Sequence, residues 1–534
     1  MSGGRHRVDD ILTAVNPTGM YQVLHLVVTT FASFPSAFQL LSNIFICRSV
    51  PHRCSQPINS SQIYPLDHKV TNVTYGRCDV TFWSNGTILY KEQCPYGTDY
   101  DLDLTTSAVS EFDLVCDRAN LARLSQTLVI AGQGVGAVLA TILSDRFGRK
   151  VVLVTSNLGM LVSGLVVAFA PNYSVFAVFK FCAGAFQQGT VTSMVTLLLE
   201  MFPSRHRRIT ATYGGLTWAI GAMTMALVAY LFRDHSWRML QLALSCVSIL
   251  ALFQLWFLDE SLRWLMANSQ SERALKVIKR AAKMNGIKLE AVLQVFGNSK
   301  SVDGMMSSNH EPQIQPDVLK LNEEKSPKMT LIDAFRDRSL FITSLVTWFA
   351  WFTTALGYFV IYLNSVTLSG DRFLNYFLTA TMEIPSNIFF YFSLNRFGRR
   401  TTTVIPFVVL GTAVLAAGLF KKLEQSNPVF AHLTLTSSLV AMIGASGCFG
   451  VVFLYTPEMF PTNYRNQALG VASLIGRIGG MLAPFMGLLA DQAVWAPGLA
   501  IAFCSLLVCL LMRCLPETNG RELPQNIEEL QNWS

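Results

Sequence analysis

Three short motifs occur twice in this 534-residue chain at nearly the same distance. Asp145-Arg-Phe-Gly-Arg-Lys150 pairs with Asn395-Arg-Phe-Gly-Arg-Arg400, Glu200-Met-Phe-Pro203 with Glu458-Met-Phe-Pro461, and Asp259-Glu-Ser261 with Pro516-Glu-Thr518, at offsets of 250, 258 and 257 residues. An offset near half the length marks a duplication. The sequence between the copies is nearly all apolar, so the repeated unit is a bundle of membrane helices. Composition agrees, because 51% hydrophobic and 14% charged residues, with a mean hydropathy of +0.38, lie well outside the range of soluble globular chains.

Crossing the roughly 30 Å hydrocarbon core takes about 20 apolar residues. Such stretches fall at 20–46, 124–143, 151–170, 174–200, 210–232 and 239–258 (spans 1–6), and at 340–363, 372–394, 402–420, 430–456, 467–490 and 496–515 (spans 7–12). The expected fold is therefore all-α, twelve membrane helices in two pseudo-symmetric six-helix halves. The division is a polar N-terminus (1–19), an N-terminal half (20–258) interrupted by a long loop (47–123), a linker (259–339), a C-terminal half (340–515) and a tail (516–534).

Lys and Arg of short loops stay in the cytoplasm. The loops after spans 2, 4, 8 and 10 carry ten (Arg146, Arg149, Lys150, Arg205, Arg207, Arg208, Arg396, Arg399, Arg400, Arg465), against five in the short loops opposite. Both termini are thus expected inside, in the plasma membrane. The N-terminus shows no cleavable signal peptide. The net charge of +7 reflects the inside bias and does not call for a nucleic-acid partner.

The 47–123 loop holds Cys54, Cys78, Cys94 and Cys116, with Cys47 at the exit of span 1, and N-x-S/T sequons at Asn59, Asn72 and Asn85. Cysteines and sequons together imply an oxidising, external compartment and a disulfide-stapled, glycosylated ectodomain, although four cysteines leave three pairings open. The other six cysteines sit in or beside apolar spans as small packing residues. The linker opens with an amphipathic basic helix around Glu272–Lys283, then turns Ser-, Asn- and Pro-rich near 298–328, a composition of disorder.

Five runs carry a family resemblance: Ser110-Glu-Phe-Asp-Leu-Val-Cys-Asp-Arg118, the Asp-Arg-Phe-Gly-Arg-Lys loop, Asp259-Glu-Ser-Leu-Arg-Trp264, Phe453-Leu-Tyr-Thr-Pro-Glu-Met-Phe-Pro461 and Leu515-Pro-Glu-Thr-Asn-Gly520. Together they resemble the organic ion transporter family of the major facilitator superfamily, which carries organic cations, organic anions and carnitine-like zwitterions. The resemblance runs from about residue 8 to 530, the cysteine-containing first loop included. It implies alternating access, with the two halves rocking about a central site, and a lipid bilayer and a small organic ion as partners. The chain is expected to act as a monomer, the extracellular loop being the surface through which it could oligomerise.

The repeated motifs suggest a cytoplasmic gate. Gly permits a tight turn, and Asp145, Arg146, Arg149, Lys150, Arg396, Arg399 and Arg400 sit at helix ends near Glu200, Glu260, Glu458 and Glu517. This network is expected to latch the halves together in the outward-facing state and to break when the inner gate opens. Against the superfamily pattern, Thr141 stands where Gly is usual and Asn395 where an acid is usual, which implies a weaker latch in the C-terminal half.

Substrate chemistry should lie where ionisable residues sit deep in spans, since an unpaired charge there costs at least about 2.5–3.5 kcal/mol. Three qualify: Lys180 in span 4, Glu383 in span 8 and Arg477 in span 11. Lys180 is expected as a structural cation, whereas Glu383 and Arg477 either face the cavity together or form an ion pair. By resemblance, anion and zwitterion carriers have Arg at the position of Arg477 and cation carriers have Asp. A buried guanidinium also suits a carboxylate or sulfate. Asn387, where some anion carriers have a basic residue, argues against a dianion. Trp351, Phe352, Tyr358 and Phe359 of span 7, with Trp218, Phe38, Gln39 and Tyr455, are the expected aromatic and polar walls.

No Walker loop, nucleophile elbow or histidine cluster supports an enzyme, and no cofactor or metal is expected. The expected function is secondary-active or facilitative transport of small organic anions or zwitterions. Two alternatives stay open: a polyspecific cation carrier that uses Glu383, and a transporter fold acting as a receptor or interaction protein.

Overall fold

The computed structural model of the chain describes residues 8, 10–57, 70–203, 207–289, 292, 337–461 and 464–518. Among them, nine helical segments are long and apolar enough to cross a membrane, and they correspond to spans 1, 2, 3, 5, 6, 7, 9, 10 and 11. The remaining three spans are also helical. Span 4 (Tyr173–Met201) carries Lys180, Gln187 and Gln188 in its buried face, and span 12 (Ala496–Leu511) is 16 residues long. Span 8 is broken into Arg372–Thr381 and Glu383–Arg396. Pro385 explains the break, since it has no N–H for the Thr381 carbonyl and its ring crowds that position.

Glycines let helices of one half approach closely. A Cβ at Gly132 of span 2 would collide with the Phe181 carbonyl of span 4, and one at Gly479 of span 11 with the Phe352 carbonyl of span 7.

The 47–123 loop is strand-rich. Strand β1 (His52–Cys54) pairs antiparallel with β5 (Thr98–Tyr100), and β2 (Asn72–Tyr75), β3 (Asp79–Ser84) and β4 (Thr87–Gln93) form an antiparallel sheet in that order. The β3–β4 turn is Asn85-Gly86, both at positive φ (46° and 82°), the pair that a two-residue hairpin favours. Disulfides join Cys54 to Cys94 and Cys78 to Cys116, which selects one of the three pairings. Asn72 and Asn85 are exposed, and Asn59 lies outside the described residues. The segment is tied to the bundle by Arg238 of span 6, which donates to Glu111 at 2.7–3.2 Å and to the carbonyls of Ala168 and Ala170.

At the opposite end, the linker helix Ser271–Met284 buries Ala274, Ile278, Ala281 and Ala282. The Asn285 amide beyond it donates to the Val15 carbonyl (2.6 Å) and to Gln22 (2.9 Å), and its oxygen accepts from the Tyr21 N–H. Arg280 adds an ion pair to Asp259 at 2.8 Å. The stretch near 298–328 lies outside the described residues. The two ends of the bundle are called below the loop side and the linker side.

Candidate functional site

Glu383 opens the second half of span 8, where the helix N-terminus favours a negative charge, and it is 3% exposed. Its Oε1 accepts from the Tyr358 hydroxyl at 2.8 Å and the Tyr362 hydroxyl at 2.5 Å. These tyrosines are four apart on span 7 and therefore share a helix face. The Trp218 indole of span 5 donates to the Tyr358 oxygen at 3.0 Å, so a hydrogen-bonded chain runs from the N-terminal half to the carboxylate. Phe359 and Phe449 meet the Tyr358 ring edge-on, and Tyr362 contacts Tyr376. Glu383 has no basic partner among the described residues.

Arg477, in the middle of span 11, reaches into the other half. It donates to Gln133 of span 2 at 2.9 Å and to Gln188 of span 4 at 2.7 Å, and Gln133 in turn donates to Gln187 at 2.7 Å. Its Nε is buried without a partner, and no carboxylate pairs with it among the described residues. The direct Glu383–Arg477 ion pair weighed from the sequence is not formed. Tyrosine hydroxyls surround one charge and amide oxygens the other, so each keeps capacity for an outside partner.

The loop side of the seam between halves is closed. Arg123 of span 2 pairs with Asp491 beyond span 11 at 3.0 Å, and the Thr127 hydroxyl donates to the Met481 carbonyl at 2.9 Å. Phe45 of span 1 stacks on Phe373 and meets Tyr376 edge-on. Toward the linker side, Gly214 of span 5 and Gly470 of span 11 face open space.

The latch between halves is expected only in the outward-facing state, and here the repeated charge motifs make their contacts with described residues within one half. Arg149 pairs with Glu200 at 3.1 Å and Asp145 at 2.9 Å, and Glu260 accepts from the backbone N–H groups of Arg149 and Lys150. The C-terminal copy repeats the pattern: Arg399 pairs with Glu458 at 3.2 Å, and Glu517 accepts from the N–H groups of Arg399 and Arg400. In both copies the glycine is what lets this carboxylate approach, since a Cβ at Gly148 or Gly398 would strike Glu260 or Glu517. Burial pushes the Glu260 carboxyl up from its ordinary range, opposed by the backbone N–H groups of Ser261, Lys150 and Arg149. Burial also works to raise neighbouring Asp259, but His25, Arg280 and Tyr21 outweigh it and hold that carboxyl down. Arg146 and Arg396 are exposed and make no ion pair among the described residues.

The other expected wall residues have contacts of their own. Phe38 is packed in the core, and Gln39 is turned into the interior of the N-terminal half, where it meets Ser245 and Gln241. Lys180 joins that network, donating to Ser42 at 2.8 Å and Gln241 at 3.2 Å, and has no acid partner among the described residues. Tyr455 donates to the Pro516 carbonyl on the linker side. Trp351 donates to Thr456 and packs on Phe453, and Phe352 stacks on Phe349. The Asn387 amide returns to the Glu383 carbonyl, one turn back along its own helix. Tyr362, Tyr376, Gln133, Gln187 and Gln188 are not among the residues expected from the sequence, because what distinguishes them is the partner on a facing helix. Paired amides deep in spans 2 and 4 were an available signal.

Comparison with known proteins adds the family. Residues 98–530 match the model of the family described as "Sugar (and other) transporter". Solute carrier family 22 member 6-A of Xenopus laevis is 30% identical, covering 84% of this chain and 76% of its own. Organic anion transporter 3 of Homo sapiens is 29% identical and the organic cation transporter protein of Drosophila melanogaster 28%, each covering 98% of this chain and 94% of its own. Among solved structures, the xylose transporter XylE of E. coli in an inward open conformation superposes with a TM-score of 0.60 at 16% identity, covering 95% of this chain and 99% of its own. That likeness shows the major facilitator fold. The chain is a membrane transporter rather than an enzyme: it belongs to the sugar (and other) transporter family and, by its curated relatives, to the organic ion transporters of solute carrier family 22.

Proposed function

We propose that this protein carries small organic anions or zwitterions across the plasma membrane, with the loop side outside and both termini in the cytoplasm. The observation that carries the reading is Arg477, a guanidinium at the seam held only by amide oxygens, with its Nε unpartnered. A cation in that setting lacks the charge that would offset its desolvation, and a substrate carboxylate supplies it, with bidentate geometry available. Because Gln133 and Gln188 belong to one half and Arg477 to the other, an anion bound there takes bonds from Arg477 and loosens its hold on the glutamines. Binding then bears directly on how the halves meet. The closed loop side and the open space at Gly214 and Gly470 fit an inward-facing state, in which the linker-side charge clusters brace each half separately.

Glu383 favours the zwitterion within this class. Both tyrosines address one oxygen, which leaves the other for an ammonium or quaternary nitrogen, and Tyr358 and Trp218 supply aromatic faces. The same feature supports a second reading, a cation carrier in which Arg477 is structural. Uptake of a radiolabelled monocarboxylate, a carnitine-like zwitterion and a quaternary ammonium ion into cells expressing wild type or Arg477→Ala separates the two. Anion or zwitterion uptake that collapses in the variant supports the proposal; cation uptake that survives it transfers the site to Glu383.

A further inference from the structure

Two arginines, one from each half, lie beside the Phe45–Phe373 stack at the loop-side rim of the seam. Arg48 follows span 1, and Arg372 opens span 8. They flank the aromatic plug in which Phe45 stacks on Phe373 at 5.6 Å and meets Tyr376 at 4.9 Å, while Tyr230 of span 5 meets Phe373 edge-on. The Arg48 Nε is buried with no hydrogen-bond partner, and its side chain makes no ion pair among the described residues. Among the described residues, Arg372 has only the face of Phe373, its Cζ 4.6 Å from the ring centre, and the charge of adjacent Asp371. Burial, and after it the like charge of Arg372, together lower the pKa of Arg48 to about 10.

Two half-buried guanidiniums of like charge on either side of a closed seam, one of them with a buried and idle Nε, disfavour the closure in which they are found. Nearby, Arg123 is neutralised by Asp491, and Arg233 at the end of span 5 by Asp234. The arrangement thus lacks one negative charge, placed between the halves, to complete it.

We propose that Arg48 and Arg372 form an outer anion-binding site, separate from Arg477, which takes a single carboxylate or a chloride ion between the two halves. Bound there, the anion replaces repulsion with two charge-assisted contacts and stabilises the closed loop side. With the anion absent, the pair pushes the seam open. The site therefore links external anion concentration to the outward-to-inward step. It rests on the transporter reading but not on the assignment of Arg477, since neither arginine touches the central group.

The test uses the purified full-length protein in neutral-lipid nanodiscs, melted in sodium HEPES and titrated with sodium benzoate or sodium chloride. In Arg477→Ala, where the central site is removed, the melting temperature rises with added anion. Adding Arg48→Gln and Arg372→Gln moves the half-saturating concentration at least about tenfold higher or abolishes the rise, whereas the corresponding Lys pair keeps it. Benzoate acting at lower concentration than chloride assigns the site to the organic substrate; the reverse order assigns it to the inorganic ion. Unchanged half-saturation in the Gln pair overturns the proposal, as does the absence of any rise in Arg477→Ala. If the Gln pair does not fold, Arg372→Gln alone decides by the same criterion, since its guanidinium only stacks on a ring. Failure of the central-site reading would show separately, as monocarboxylate uptake that survives Arg477→Ala.

Discussion

Arg149 and Arg477 are both partly buried arginines at positions where helices meet, yet their surroundings are opposite. Arg149 is saturated: Glu200 and Asp145 take its guanidinium, and Glu260 caps the backbone beneath it. Arg477 has two glutamine oxygens and a donor left over. The contrast separates a brace, which has its counter-charge built in, from a cation at the seam between halves that still lacks one; Lys180, also without an acid among the described residues, is enclosed within one half. The same comparison holds between Arg399, with Glu458, and Arg477 on the same half.

The largest expected effect is on the brace. Arg149→Ala strands Glu200 and Glu260 in a partly buried site, and breaking such a pair from one side costs about 3–5 kcal/mol. Thermal melting and surface expression should both fall, and a variant that melts like wild type would mean the cluster is decorative. Arg477→Ala should do the reverse. Removing an unpaired charge leaves melting unchanged or raised, while kcat/KM for anion uptake drops about 10–100-fold, the worth of a charge-assisted contact of about 1.5–3 kcal/mol. If melting falls as much as in Arg149→Ala, the distinction between the two arginines fails.

Glu383→Gln sharpens the comparison from the other sign. It keeps the tyrosine bonds and removes the charge, so zwitterion uptake should fall by roughly tenfold while monocarboxylate uptake changes little. Equal losses for both substrates would assign Glu383 to structure. The smallest effect is expected from Gln133→Ala, which removes one neutral partner of Arg477 and should shift KM by a few-fold, consistent with about 1 kcal/mol for one hydrogen bond. Kinetics measured at matched surface expression check both.

The twelve-helix architecture was legible because duplication and hydropathy are long-range, redundant signals: no single residue decides them. The site was legible only in part. Glu383, Arg477, Tyr358 and Trp218 stand out as charges and aromatics in apolar spans, and the structure brings three of the four into one hydrogen-bonded chain. What escaped is pairing through space. Gln133 and Gln188 lie 344 and 289 residues from Arg477, and nothing local announces that their helices face it. The contacts that the gate charges make in this state were hidden for a related reason. Glu260 and Glu517 each follow the last span of their own half, which packing returns to that half's first motif turn before any partner across the seam is reached. The strands of the 47–123 loop, in contrast, had a visible marker in Asn85-Gly86.

The most direct test of the account is charge reversal at Arg477. Uptake of a radiolabelled monocarboxylate and of a quaternary ammonium ion would be measured side by side in wild type and Arg477→Asp at matched surface expression. If Arg477 is the counter-charge of the substrate, the wild type carries the carboxylate, and the variant loses it by 10-fold or more, on the order expected for a charge-assisted contact. Carboxylate uptake that persists at the wild-type rate in a correctly placed Arg477→Asp protein would contradict it.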